Sequence, residues 1–265
     1  MSPKLLLIPL FLYVAVCLAL YLAQDRMLFP APPARPLPPG AERLELNVPT
    51  GERLEGVHFK SSQPNEQRLL ILGFGGNGWS GSDMAEFLHA LYPSADVAAF
   101  HYRGYAPSGG RPSAKALLAD APLVHDYVRK RFAPARLVAV GFSIGTGVAA
   151  SLAGERELDG LILVTPFDSL ASVAASQFRW APVRLLFTNE IDAASALRRT
   201  RTPVALIEAG SDELIPHART EALRRVVPNL VLDRTIAGAG HNDIYRRDEL
   251  EQAMHQALAK VLARR

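Results

Sequence analysis

Cysteine is all but missing: among 265 residues Cys17 stands alone, inside an apolar amino-terminal run. The remainder of the chain can therefore form no disulfide with itself and offers no thiol nucleophile. A dominant charge is also lacking. Lys and Arg number 29 against 26 Asp and Glu, a formal net charge of +3, which gives no basic field for a polyanion and leaves no reason to expect a nucleic-acid partner. There is no internal repeat, and no low-complexity tract outside one proline run. The arginine pairs Arg198-Arg199 and Arg264-Arg265 are candidates for lipid phosphates or for plain solvated surface.

Three parts follow in order: a transmembrane anchor over residues 1–24, a Pro-rich linker over 25–40 and one folded domain over 41–265. Apart from Pro9, Leu5 to Ala23 is uncharged and apolar. At about 1.5 Å per residue its length just crosses a hydrocarbon core of about 30 Å. A cleaved secretory signal is the competing reading, but its apolar region would be shorter, and no clear small-x-small cleavage site follows. Lys4 and the free amino terminus outweigh the balanced pair Asp25 and Arg26, so the positive-inside tendency puts the bulk of the chain on the periplasmic or luminal side. Prolines 30, 32, 33, 36, 38 and 39 fix φ and remove backbone donors, excluding helix and central strand. Such a segment either holds the domain on the order of 30 Å from its anchor or drapes over the domain surface.

In the domain, Arg43 to Val48 and Arg53 to Lys60 alternate apolar and polar residues around Pro49-Thr50-Gly51, as an edge hairpin would. Leu69 to Leu72 is a buried strand ending in Gly73-Phe74-Gly75-Gly76-Asn77-Gly78-Trp79. A helix follows, with Met84, Phe87, Leu88 and Leu91 on one face and Ser82 as its cap. Strands at Asp96 to Phe100, Leu137 to Val140, Leu161 to Val164, Val204 to Ile207 and Leu230 to Ile236 then alternate with helices. The last helix has Asp248 and Glu251 in the spacing of a capping box. Alternation of this kind builds a mainly parallel sheet covered on both faces, with ligands bound beyond the carboxyl ends of its strands.

The most informative stretch is Gly141-Phe142-Ser143-Ile144-Gly145. A strand enters and a small-residue helix leaves, so the chain must turn where any side chain beside the serine would collide, hence the two glycines. The alternative makes Ser143 an ordinary helix N-cap. A serine nucleophile needs a base, and His241 lies in Ala237-Gly238-Ala239-Gly240-His241-Asn242-Asp243, after the last strand and before the last helix. His58 is in the hairpin, His89, His125, His217 and His255 sit in predicted helices, and His101, at a strand end, is the second choice.

In its strand-turn-helix setting, G-x-S-x-G resembles the nucleophile elbow of the α/β-hydrolase superfamily, and the likeness spans about Ala41 to Arg265. The superfamily order of Ser, acid and His implies the acid in Glu208-Ala209-Gly210-Ser211-Asp212-Glu213-Leu214-Ile215-Pro216, with Asp212 the choice, Asp168 the runner-up and Glu213 solvated. It implies an oxyanion hole from the N–H of Ile144 and one from the first glycine-rich loop, where Asn77 is the choice among Gly76, Asn77 and Gly78. The histidine usual in that loop is Gly75 here. A phosphate cradle is the competing use of these glycines, but no lysine follows to pair with it.

The anchor, Tyr102-Arg103-Gly104-Tyr105 and the short connection before Asp192 look like the anchored hydrolases related to lipases, acyl-protein thioesterases and serine aminopeptidases. Arg103 has a structural job in such proteins. What the resemblance implies is an α/β-hydrolase fold with a minimal lid and a membrane-anchored serine esterase without metal or organic cofactor, acting on a lipid-like or small-molecule acyl ester or thioester. A serine peptidase, or an inactive interaction protein on the same scaffold, is the alternative. Between Ser169 and Pro203, the apolar residues Phe178, Trp180, Val183, Leu185, Leu186 and Phe187 either shelter an acyl chain or pack as core.

Overall fold

In the computed structural model, residues 3–263 are described, with side chains from residue 8 onward. The amino terminus, the side chain of Lys4 and the pair Arg264-Arg265 lie outside them. Helix α1 (Pro3–Leu28) leads to β1 (Glu42–Asn47), β2 (Arg53–Phe59), β3 (Leu69–Phe74), α2 (Gly81–Leu91), β4 (Asp96–Phe100), α3 (Ala114–Phe132), β5 (Arg136–Phe142) and α4 (Ile144–Glu155). Then come β6 (Gly160–Val164), α5 (Leu170–Gln177), α6 (Val183–Leu186), α7 (Ala193–Leu197), β7 (Val204–Ala209), α8 (His217–Arg224), β8 (Leu230–Ile236) and α9 (Asp248–Leu262).

The strands form one eight-stranded sheet in the order β1-β2-β4-β3-β5-β6-β7-β8, antiparallel between β1 and β2 and between β2 and β4, and parallel elsewhere. The α/β architecture expected from the alternation is the one present. Because both faces are covered, every residue of β3, β6 and β7 is buried, and apart from Glu208 in β7 the strands carry apolar runs. The pleat still sorts them. Leu70, Leu72, Leu137 and Ala139 pack on the side of α3, α4 and α7, while Ile71, Val138, Val140 and Ile162 pack with Met84 and Leu88 of α2 and Met254 of α9.

The winding reverses at β3, whose neighbours are β4 on one side and β5 on the other. At such a reversal the loops leaving adjacent strands part to opposite faces and open a crevice. Here those loops are the glycine-rich segment after β3 and the serine turn after β5.

Several local expectations are corrected. The cap of α2 is Ser80, two residues before Ser82: its side chain accepts from Asp83 N while Asp83 accepts from Ser80 N, a reciprocal box that Gly81 allows by passing against the backbone of Phe100 and His101. The Asp248 and Glu251 box does not form. Asp248 is already inside α9, behind Arg247, which makes no side-chain cap; the three acidic residues of that first turn still suit the helix dipole.

Helix α1 runs four residues past 24, and Phe29, only 2% exposed, joins the core. Over Ile8–Leu28, α1 is long and apolar enough to cross a membrane. Phe11 and Leu22 are 72% and 71% exposed, so no part of the described protein covers that face.

Candidate active site

Ser143 sits between β5 and α4 at φ 49° and ψ −119°, a conformation that a non-glycine residue holds only when its surroundings force it. The forcing is steric and polar together. A Cβ on Gly145 would stand 2.2 Å from Phe74 O, and one on Gly141 2.5 Å from Gly145 O. Ser143 N donates to Val164 O at 3.0 Å, and Thr146 Oγ1 donates to Ser143 O at 2.6 Å. Although Ser143 stands at the N-cap position, its side chain makes no capping hydrogen bond, so the ordinary helix-cap reading does not describe it.

The hydroxyl faces a histidine instead. Ser143 Oγ lies 2.9 Å from His241 Nε2, and His241 Nδ1 lies 2.8 Å from Asp212 Oδ2. The imidazole and the carboxylate are 6% and 4% exposed, so each is the other's main partner rather than water's. The second oxygen of Asp212 accepts from Leu214 N at 2.9 Å and Ile215 N at 2.7 Å, which fixes the carboxylate plane. Glu213, expected to be solvated, is exposed but accepts from His241 N at 3.0 Å and so pins the histidine loop to the acid loop. Nothing local in sequence marks that bond, which joins residues 28 positions apart.

The other candidates are occupied elsewhere. His101 lies by Ser82 Oγ and Gly81 N, and burial pushes its pKa down to about 4, with Asp83 opposing weakly. Asp168 accepts from Arg219 at 3.2 Å, and desolvation raises its pKa. Asp243 pairs with Arg247 at 2.6 Å and accepts from Gly240 N. His217 faces Glu208 at 2.6 Å. Arg103 is bound to Asp120, Thr50 and Glu52.

On the far side of Ser143 is the glycine-rich loop. Gly76 lies against the serine, its missing Cβ 3.4 Å from Ser143 Cβ. Gly76, Asn77 and Ile144 line the same cavity as Ser143 and His241, and Gly78 does not. Tyr102 Oη donates to Gly75 O at 2.8 Å and holds the start of that loop, a support with no local signal in sequence. Asn77 Nδ2 reaches Met27 O at 3.4 Å, so the loop also touches the end of α1. Below, Trp79, Phe142 and Tyr245 pack with ring centroids 5.3 to 5.8 Å apart, and burial raises the Tyr245 phenol to about 12, keeping it protonated.

The cavity holds about 400 Å³, within the usual range for small-molecule sites. Its remaining wall is apolar, with Phe167, Leu170, Val173, Phe178 and Leu214. Phe178 thus faces the cavity, whereas Trp180 and Leu185 are exposed. Among the described residues no cluster of His, Cys, Asp or Glu is arranged to hold a metal.

Known proteins bear on this arrangement. The model of the alpha/beta hydrolase fold family matches residues 69–182. An uncharacterized protein of Mycobacterium tuberculosis strain H37Rv is 31% identical over 231 residues, covering 83% of this chain and 82% of that protein. Alpha/beta hydrolase domain-containing protein 17C of Mus musculus is 28% identical over 193 residues, 71% of this chain and 59% of that one. Among solved structures, an esterase of Pyrococcus furiosus superposes with a TM-score of 0.69 at 17% identity, covering 88% of this chain and 97% of that chain. A serine hydrolase homologue from Coxiella burnetii superposes at 0.65 with 18% identity, covering 85% and 100%. At those identities the structural likeness speaks for the fold alone.

Proposed function

The chain belongs to the alpha/beta hydrolase family, and on that premise we propose that it is a membrane-anchored serine hydrolase that cleaves a carboxylic ester or thioester of an acyl or lipid-like substrate. Family membership supports a hydrolase; the residues supply the mechanism. The observation that carries it is the unbroken relay from Ser143 Oγ to His241 at 2.9 Å and from His241 to Asp212 at 2.8 Å.

Serine at its ordinary pKa is a poor nucleophile, and a neutral imidazole within hydrogen-bond reach removes that obstacle. As Ser143 Oγ bonds to the substrate carbonyl carbon, its proton passes to His241 Nε2. Ionised Asp212 holds the Nδ1–H tautomer and stabilises the imidazolium. The carbonyl oxygen, now negative, is received by the backbone N–H groups of Ile144 and Asn77. Collapse expels the alcohol or thiol, which takes its proton from His241. Water then adds to the acyl-enzyme with His241 as base, and the carboxylic acid leaves as Ser143 recovers its proton. Neither a metal nor an organic cofactor enters these steps.

In this reading α1 is the anchor and residues after Leu28 lead into the hydrolase domain on the periplasmic or luminal side. A fluorophosphonate probe tests the chemistry: the full-length protein labels and Ser143→Ala does not, whereas equal labelling of both refutes Ser143 as nucleophile. Faster turnover of aminoacyl amides than of acyl esters would instead favour a peptidase.

A further inference from the structure

The cavity beside Ser143 shares part of its wall with a second one. Leu28, Ala174 and Phe178 line it and also line a second cavity of about 100 Å³. One wall of that second space is α1, through Cys17, Leu20, Tyr21 and Gln24; across from them stand Val183 and Leu186. Positions 17, 20, 21, 24 and 28 recur every three or four residues and so share one helix face. At 1.5 Å per residue the lined stretch is about 16 Å long.

Polar contacts brace both ends of this stretch. Toward the carboxyl end of α1, Thr188 N donates to Gln24 Oε1 at 2.9 Å and Asn189 Nδ2 donates to Asp25 Oδ1 at 2.6 Å. Nearer the amino end, Tyr13 Oη donates to Trp180 O at 3.2 Å. Between the braces the lining is almost wholly carbon. On the outside of the same segment, Trp180 and Leu185 are 51% and 84% exposed, with Arg179 and Arg184 exposed beside them. An aromatic residue and a long aliphatic one among arginines, next to a helix able to cross a membrane, is the composition of a surface resting at the bilayer interface.

From these observations we infer that α1 is a wall of the substrate site as well as an anchor: the acyl chain of a membrane-resident ester or thioester enters from the bilayer alongside α1 and lies between α1 and the 174–187 segment, its carbonyl at Ser143. The inference rests on the serine-hydrolase reading, and it adds the substrate's location and path. A carbon-lined space along α1, adjoining the cavity that holds Ser143, fits a hydrocarbon chain, and its walls offer a polar group little to bind.

The test uses the full-length protein in mixed micelles. Turnover of p-nitrophenyl palmitate relative to the butyrate is measured for wild type, for Ala174→Trp at the junction of the two cavities and for Leu20→Trp on α1. Each variant lowers that ratio at least tenfold. In parallel, wild-type protein reacts with a hexadecyl fluorophosphonate carrying a terminal diazirine and is irradiated; adducts fall in peptides covering residues 17–28 or 183–187, and a butyl analogue gives none there. An unchanged ratio in both variants, or long-chain adducts confined to other surfaces, overturns the passage while the labelled serine leaves the hydrolase reading intact. If the serine reacts with neither probe, the hydrolase reading falls and the passage falls with it.

Discussion

Two buried acid–base assemblies sit at the carboxyl edge of the same sheet, and they do opposite things. In the loop after β4, Arg103 grips Asp120 through two hydrogen bonds at 3.0 and 2.5 Å, and its remaining nitrogen is taken by Thr50 and Glu52. After β7 and β8, Asp212 holds His241, whose far nitrogen is taken by a hydroxyl on the wall of a cavity. The first set closes within the fold. The second ends on a hydroxyl that lines an open cavity. Burial and pairing are nearly equal in the two, with Arg103 and Asp120 at 9% and 6% exposure and His241 at 5%, so they do not separate structural from chemical roles. The last partner in the line does.

The sharpest way to break this comparison is to blunt each acid in turn. Asp212→Asn is expected to lower kcat by about 10⁴-fold, because the amide favours the wrong imidazole tautomer. Its side-chain oxygen can still accept from Leu214 and Ile215, so the melting temperature stays close to that of wild type. Ester hydrolysis and a thermal scan on the same sample check both halves. Asp168→Asn is the matched control; it faces Arg219, and its turnover remains within about twofold of wild type.

Asp120→Asn should do the reverse, leaving the Arg103 charge without its main partner in a buried position, at a cost of about 3 kcal/mol in urea unfolding. Turnover by the fraction still folded is retained. A large loss of turnover with no loss of stability would erase the distinction between the two assemblies.

An effect confined to acid pH comes from His101, which resembles His241 in burial but lies beside Gly81 N and Ser82 Oγ rather than a carboxylate. Burial lowers its folded pKa to about 4, below the unfolded value of about 6.5. The unfolded chain therefore binds the extra proton between those values, and stability falls as pH drops from about 6.5 to about 4, by up to roughly 3 kcal/mol. His101→Gln removes this component of the pH slope. A slope unchanged in the variant would assign it to other groups.

What could be read from sequence divides along the range of the forces involved. The serine turn was legible because part of its crowding is local: Gly141 is required by Gly145 and Thr146 just ahead of it, although Gly145 itself is required by the distant end of β3 at Phe74 and Gly75. The interior strands were legible because burial on both faces demands unbroken apolar runs. His241 emerged from its loop position, and the acid at 212 only through likeness to a family.

What escaped depends on chain meeting chain at long separation. Glu213 reaching His241 N, Tyr102 Oη holding Gly75 O and Asn189 joining Asp25 across 164 positions leave no periodic trace. The cap of α2 was missed for a different reason. Ser80 and Ser82 both have capping chemistry, and only the close passage of Gly81 by Phe100 and His101 decides where the helix begins.

The Gly145 contact has a thermal consequence. The gap between that residue and the end of β3 is too narrow for one carbon, so the spacing between the serine turn and the facing loop is set by atomic radii. Hard-core repulsion is almost athermal and indifferent to dissolved ions, unlike the Coulombic grips elsewhere in the molecule. The width of the cleft beside Ser143 should accordingly stay constant across salt and moderate heating until β3 and β5 themselves separate.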